Sequence, residues 1–444
     1  MSRTLSRTWT RMKTNIRRAW SEPWMRAMLY IAGVPLFPEY IAPVLAILAF
    51  FAAFKDAQVH KTVLSIGSVG KILLLYIAYM AFGVIFAKLR LASAAAVALW
   101  GFLFLAYLTL TNVLTDRKRL DTALYAVTIV AGVVGLIGCI QYFLRFIGIS
   151  APLQFWNPLD RLVYSLFPQD INLHVNGVRV SSTFNNPNIL GQYLVLTTPL
   201  AVHYALHCKK NLRRTLARFS LVAIIGCAAF TFSRGTYLSL LMVALVLVIA
   251  NVRSILTILL SALSALLLTP DAVWNRLMSV GKLDTSSMER LSVWKWCIGL
   301  IAKNPLFGSG CGVEYTWQVM QANGIFAPHA HNLVLQLLIE GGILGFCIVM
   351  FLGFRVVQSA FTLLNRRESR AFGVTLLALV VGFCTNGMVE YGLTFPKVMS
   401  AFAVMLAVTD VVCNLYLNRK LSPLKETVTV GSRLLGKLGV TAHK

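Results

Sequence analysis

Four short polar clusters interrupt an otherwise apolar chain, and they hold the side chains whose types could carry chemistry. In residues 179–188 (RVSSTFNNPN), Arg179 is a cation just ahead of an apolar run that Asn188 opens. A guanidinium at a helix amino terminus holds an anion through its charge and the free backbone amides together; Asn188 and the hydroxyls serve equally as helix caps. In residues 231–236 (TFSRGT), Arg234 sits between two apolar runs with almost no loop. There it either snorkels to headgroups or grips a phosphate bidentately. The third cluster has Arg290 and then residues 304–312 (NPLFGSGCG). Its glycines permit close backbone approach but lack the Gly-Lys-Ser/Thr of a P-loop, so the phosphate signal is weak. A turn that carries a sugar chain past a membrane surface is an equal reading. The fourth, residues 328–332 (PHAHN), offers His329, His331 and the helix-capping Asn332. Imidazole suits proton transfer near neutrality, which makes His331 a candidate general base. Two His at i and i+2 have no third ligand nearby in sequence, and neither HExxH nor paired-Cys spacing occurs, so no metal site and no metal-dependent mechanism are expected. Glu390, beside Tyr391, ends one apolar run; Glu340, inside another, is expected to be a buried partner to an arginine without a catalytic role.

The elements that must position these clusters follow from composition. Of 444 residues, 57% are hydrophobic and 13% charged, with 41 Lys and Arg against 16 Asp and Glu. A soluble chain carries about twice that charged fraction, which excludes an ordinary cytosolic enzyme, a disordered chain and a nucleic-acid-binding domain. The pattern predicts one all-α polytopic membrane domain over residues 1–444, with no internal repeat. A helix of about 20 apolar residues crosses the hydrocarbon core, and about twelve such runs occur. They lie near residues 24–38, 40–54, 69–87, 92–113, 122–146, 189–206, 217–232, 236–250, 254–269, 333–354, 371–389 and 396–417. Prolines 35, 38 and 43 make the first two either a tight corner or one kinked helix. No cleaved signal peptide is read from the basic amino terminus.

Lys and Arg concentrate on alternate connections, which sets the orientation: 29 of the 41 fall on segments assigned to the inside, with both termini cytoplasmic. Lys88 and Arg90 are the exception. The basic excess is then a topology signal rather than a nucleic-acid footprint, and the basic tail, residues 418–444, is suited to anionic lipid. Two long connections, residues 147–188 and 270–332, face outward, and residues 287–301 have the spacing of a helix lying along the membrane surface. All four clusters map to this outer face. Cys297 and Cys311 share the second loop, and sequence alone leaves their pairing open.

Taken in order, Ser233-Arg234-Gly235, Asn304-Pro305-Leu306-Phe307-Gly308-Ser309-Gly310, and His331-Asn332 followed by Gly342 and Gly345 resemble the O-antigen ligase family within the wider O-antigen polymerase superfamily. The Arg179 to Asn188 segment is similar to the family's Arg followed by a Phe-x-x-Pro-Asn element. The resemblance implies a GT-C-like glycosyltransferase of the bacterial inner membrane, with its active site facing the periplasm. It implies transfer of O-antigen from undecaprenyl diphosphate to lipid A-core, inverting, without metal, nucleotide, cofactor or obligate protein partner. His331 would be the catalytic base, and Arg179, Arg234 and Arg290 would bind the diphosphate. Asn188, His329, Asn332 and Glu390 would make secondary substrate contacts. The neighbouring readings are an O-antigen polymerase, a protein O-oligosaccharyltransferase and, outside enzymes, a lipid-linked oligosaccharide flippase, which would instead place charges at the membrane midplane.

Overall fold

A computed structural model describes residues 22–146, 179–250 and 285–424. These form helices α1 (Pro23–Leu36), α2 (Ile41–Val59), α3 (Ser68–Gly83, extended by a 3-10 turn Val84–Phe86), α4 (Arg90–Val113), α5 (Arg117–Phe146), α6 (Pro187–His207) and α7 (Asn211–Phe230). There follow α8 (Arg234–Ala250), α9 (Thr285–Lys303), α10 (Glu314–Ala322), α11 (Leu333–Leu364), α12 (Arg370–Gly387) and α13 (Pro396–Leu417). A two-residue antiparallel pair, Ser65 with Pro423 and Ile66 with Ser422, ties the α2–α3 connection to the segment after α13. Among the described residues, eight helices are long and apolar enough to cross a membrane. The chain is an all-α, multi-pass membrane protein. Each expected span falls on a helix except residues 254–269, which lie outside the described residues.

The proline corner resolves into two helices. The Phe37 amide closes α1 on the Gly33 carbonyl, and Ile41 restarts the chain from Pro38. At 14 residues α1 is about 21 Å long, short of the roughly 30 Å hydrocarbon core. α6 and α13 are buried on nearly every side and form the centre of the bundle, as expected of helices apolar all round. α5 packs directly on α7, because Gly135 lets the two backbones meet: a Cβ there would lie 2.7 Å from the Ala223 backbone. Small residues at such crossings are the usual means of close packing in membranes.

In the glycine-rich segment after α9 the amides of Gly308, Ser309 and Gly310 are bonded within the chain. The segment docks on a break in α11. The Ser309 amide donates to the Ile339 carbonyl at 2.7 Å and the Gly310 amide to Glu340 at 3.2 Å, while the Ile343 amide donates back to Pro305 at 2.8 Å. Gly342 carries φ +62° inside α11, and a Cβ on it would stand 2.3 Å from the Leu306 carbonyl oxygen. Gly342→Ala is therefore expected to prevent accumulation of the folded protein, because steric overlap adds to a left-handed conformation that costs about 1–3 kcal/mol by itself. Gly101→Ala, which meets nothing within 4 Å, should accumulate like the wild type. Size-exclusion profiles of the two variants in detergent check this.

Other expectations are settled by packing. Glu340 is buried beside Gln336, whose amide donates to it at 3.0 Å, so its close partner is an amide rather than an arginine. Cys297 and Cys311 are both free and buried, in two different apolar clusters. Lys88 stays at the same end of the bundle as the glycine segment, its amide donating to Ser309 at 3.0 Å. The exception to the charge pattern is therefore a feature of the fold.

Candidate active site

Each polar cluster is placed by a local device. Ser233 accepts from the Thr236 amide at 3.4 Å and so caps α8. This puts Arg234 at the first residue of that helix, where the unpaired amides and the dipole favour an anion. Gly235 gives Val389 room, since a Cβ would lie 2.4 Å from its methyl group. Arg179 is drawn to the same turn: its Nε donates to the Thr231 carbonyl at 2.8 Å and its terminal nitrogen to Asn188 Oδ1 at 2.5 Å. Asn188 is therefore not the cap of α6. Asn186 fills that role by accepting from the Asn188 amide at 2.8 Å, which leaves the Asn188 side chain for Arg179.

Arg290 arrives on α9, which spans Thr285–Lys303 where a surface helix is expected at 287–301. One turn later on α9, Trp294 Nε1 donates to the Ala330 carbonyl at 3.0 Å, and the Ala330 amide donates to Gln336 Oε1 at 3.0 Å. Both backbone groups of the residue between the two histidines are thus held. His331 lies at φ +46°, and Asn332 follows it as the cap of α11, accepting from the Leu335 amide at 3.0 Å. The Asn332 amide also donates to the Met388 carbonyl at 2.9 Å. This bond joins the start of α11 to the end of α12 and carries Glu390 to the histidines.

These devices converge. Arg179, Asn188, Arg234, Arg290 and Glu390 line one polar pocket of about 90 Å³, together with Ser233 and Asn386. His331 is joined to that wall through Glu390, with Nδ1 3.1 Å from the carboxylate. His329 Nε2 is 3.4 Å from the same oxygen. Sequence reading missed Asn386, Gln336 and Trp294. For Trp294 a signal existed, since it stands four residues after Arg290 on one helix face.

Hydrogen-bond direction fixes the proton positions. The His331 backbone amide donates to His329 Nδ1 at 3.1 Å, so neutral His329 keeps its proton on Nε2, facing Glu390. His331 in turn donates Nδ1–H to Glu390, leaving its Nε2 as the lone pair. One ring nitrogen from each of His329 and His331 and a carboxylate oxygen of Glu390 lie within 4.8 Å of one another, so the third ligand absent from the local sequence is supplied by the α12–α13 turn. A metal would need the His329 Nε2 lone pair, however, and the backbone bond at Nδ1 places a proton there. The arrangement fits a carboxylate receiving two N–H donors.

Burial pushes the His329 imidazole down to about 3, helped by the charges of His331 and Arg290 and opposed by Glu390. Burial alone would raise the Glu390 carboxyl, but the charge and hydrogen bond of His331, with His329 and Arg290, hold it well below the usual carboxylate range. Both shifts act in one direction on stability. Between its unfolded value of about 6.5 and its folded value, His329 binds protons only in the unfolded chain, and Glu390 adds the same preference below about 4.3. The melting temperature is expected to fall as pH drops below about 6.5. His329→Gln should flatten that slope between roughly pH 6.5 and 4.5 in a thermal scan.

No curated protein matches the chain significantly. The family model described as O-antigen ligase matches residues 219–350, a stretch that contains Arg234, Arg290, His329 and His331. That match supports the family resemblance: residues 219–350 are similar to the O-antigen ligase family, which is of the ligase and polymerase type.

Proposed function

We propose that the protein transfers a glycan from undecaprenyl diphosphate to a sugar hydroxyl of lipid A-core, on the periplasmic face of the bacterial inner membrane, with both termini cytoplasmic. The single observation that carries this reading is the convergence of Arg179, Arg234 and Arg290 on one pocket whose wall includes the partner of His331. Three guanidiniums and one carboxylate leave two positive charges, which matches the two negative charges of a sugar-diphosphate-lipid diester. In the reaction, the acceptor oxygen attacks the anomeric carbon as the carbon–oxygen bond to the diphosphate breaks. The bonding pair leaves with the diphosphate, where the arginines stabilise the growing charge. His331 Nε2 takes the hydroxyl proton, and the resulting imidazolium is stabilised by Glu390. One displacement inverts the anomeric centre. Holding both lipid-anchored reactants in one membrane plane supplies further advantage through orientation.

The test is transfer by purified protein supplied with lipid-linked glycan and lipid A-core. Arg234→Ala is expected to lower the rate by about 10²–10³, the usual loss on removing one donor to developing charge. Transfer retained by that variant would remove the arginine pocket from the mechanism. Glycan joined to lipid A-core supports ligation, whereas growth of the glycan on undecaprenyl diphosphate would identify a polymerase.

A further inference from the structure

A second cavity lies at the opposite end of α6. That helix has 21 residues and is about 30 Å long, so the cavity is a membrane's thickness from the arginine pocket at Asn188. It occupies about 420 Å³ between α6, α8 and α12, and His203, His207, Arg367 and Arg370 line it with no carboxylate among them. Leu206 and Val374 give it an apolar wall.

Neighbouring basic groups at this end are engaged: Arg117 with Glu368 at 3.2 Å, Arg213 with Asp121 at 2.9 Å, and Arg366 with the Tyr416 carbonyl at 3.0 Å. Arg367 and Arg370 have no hydrogen-bond or ion-pair partner among the described residues. The His203 ring is fixed in place, with Nδ1 3.1 Å from the Thr375 hydroxyl and its face stacked on Phe372 at 4.9 Å. His207 Nδ1 is 3.1 Å from the His203 carbonyl, which leaves its Nε2 for another partner.

From this we infer that the cavity is a binding site for a phosphate-bearing group, gripped by Arg367 and Arg370 and backed by His207. Two unpartnered guanidiniums offer bidentate donors to phosphate oxygens, and basic pockets between helices at a membrane face take anionic headgroups. The apolar wall suits the glycerol and acyl portion of a phospholipid. A free phosphate would use the same donors without that wall. The site is separate from the proposed transfer reaction and does not depend on it.

The test compares the full chain with Arg367→Gln/Arg370→Gln, and with Arg355→Gln/Arg366→Gln as an equal-charge control at residues that do not line the cavity. Each is reconstituted in phosphatidylethanolamine nanodiscs with and without one-tenth phosphatidylglycerol. Native mass spectrometry reads the retained lipid, and thermal melting with millimolar inorganic phosphate forms a second arm. Retained phosphatidylglycerol should fall about tenfold or more in the cavity variant and stay unchanged in the control. Phosphate raising the melting temperature of the wild type but not of the cavity variant, without lipid retention, would make a soluble anion the occupant. Equal retention and equal melting response in all three proteins would overturn the site.

Discussion

His331→Ala is expected to reduce glycan transfer by about 10²–10⁴, the usual worth of a positioned general base, while leaving the fold intact. The ring is 23% exposed and its side chain holds no helix together. The turn around it is fixed instead by Trp294, Gln336 and Asn332, through backbone groups that alanine retains. Initial transfer rates and melting temperatures measured on the same preparation separate the two quantities. A variant that melts like the wild type and transfers within tenfold of it would remove His331 from the proton transfer.

The second large effect is expected from Glu390→Gln, a substitution of nearly equal volume. The carboxylate does two things for His331. It receives Nδ1–H, which keeps the lone pair on Nε2, and it stabilises the imidazolium formed as the acceptor proton moves. An amide does neither reliably, and the analogous neutralisation in a carboxylate–histidine pair costs on the order of 10³–10⁴ in kcat. The kinetic signature is specific to this role. Glu390 lies in the wall of the arginine pocket, so removing its charge makes the pocket more positive and should leave donor KM unchanged or lower while kcat collapses. A raised KM with kcat retained would instead make Glu390 a donor contact.

How much of this was legible in the sequence depended on whether the partners were local. The spans were readable because apolar runs of about 20 residues have few other uses, and the Asn332 cap and the Ser233-Arg234-Gly235 turn follow from residues within one helical turn. The pairing of His331 with Glu390 was not readable, because 59 residues and two membrane passes separate them. The docking of the glycine segment was not readable for the same reason: its requirement for close approach was visible, but its partner, the break at Gly342, lies more than thirty residues on. Asn186 and Asn188 were exchanged as caps because only Arg179, folded back from nine residues away, decides which side chain is spared. Glu340 shows the limit of charge reasoning, since a buried carboxylate can be met by an amide as well as by an arginine.

The most direct measurement of the central claim is a structure with a non-hydrolysable undecaprenyl diphosphate sugar analogue bound. The account predicts phosphate oxygens within hydrogen-bond distance of the Arg179, Arg234 and Arg290 guanidiniums, with the anomeric carbon on the side of His331 Nε2. A diphosphate seated away from all three arginines, or a sugar separated from His331 by the body of the bundle, would contradict it.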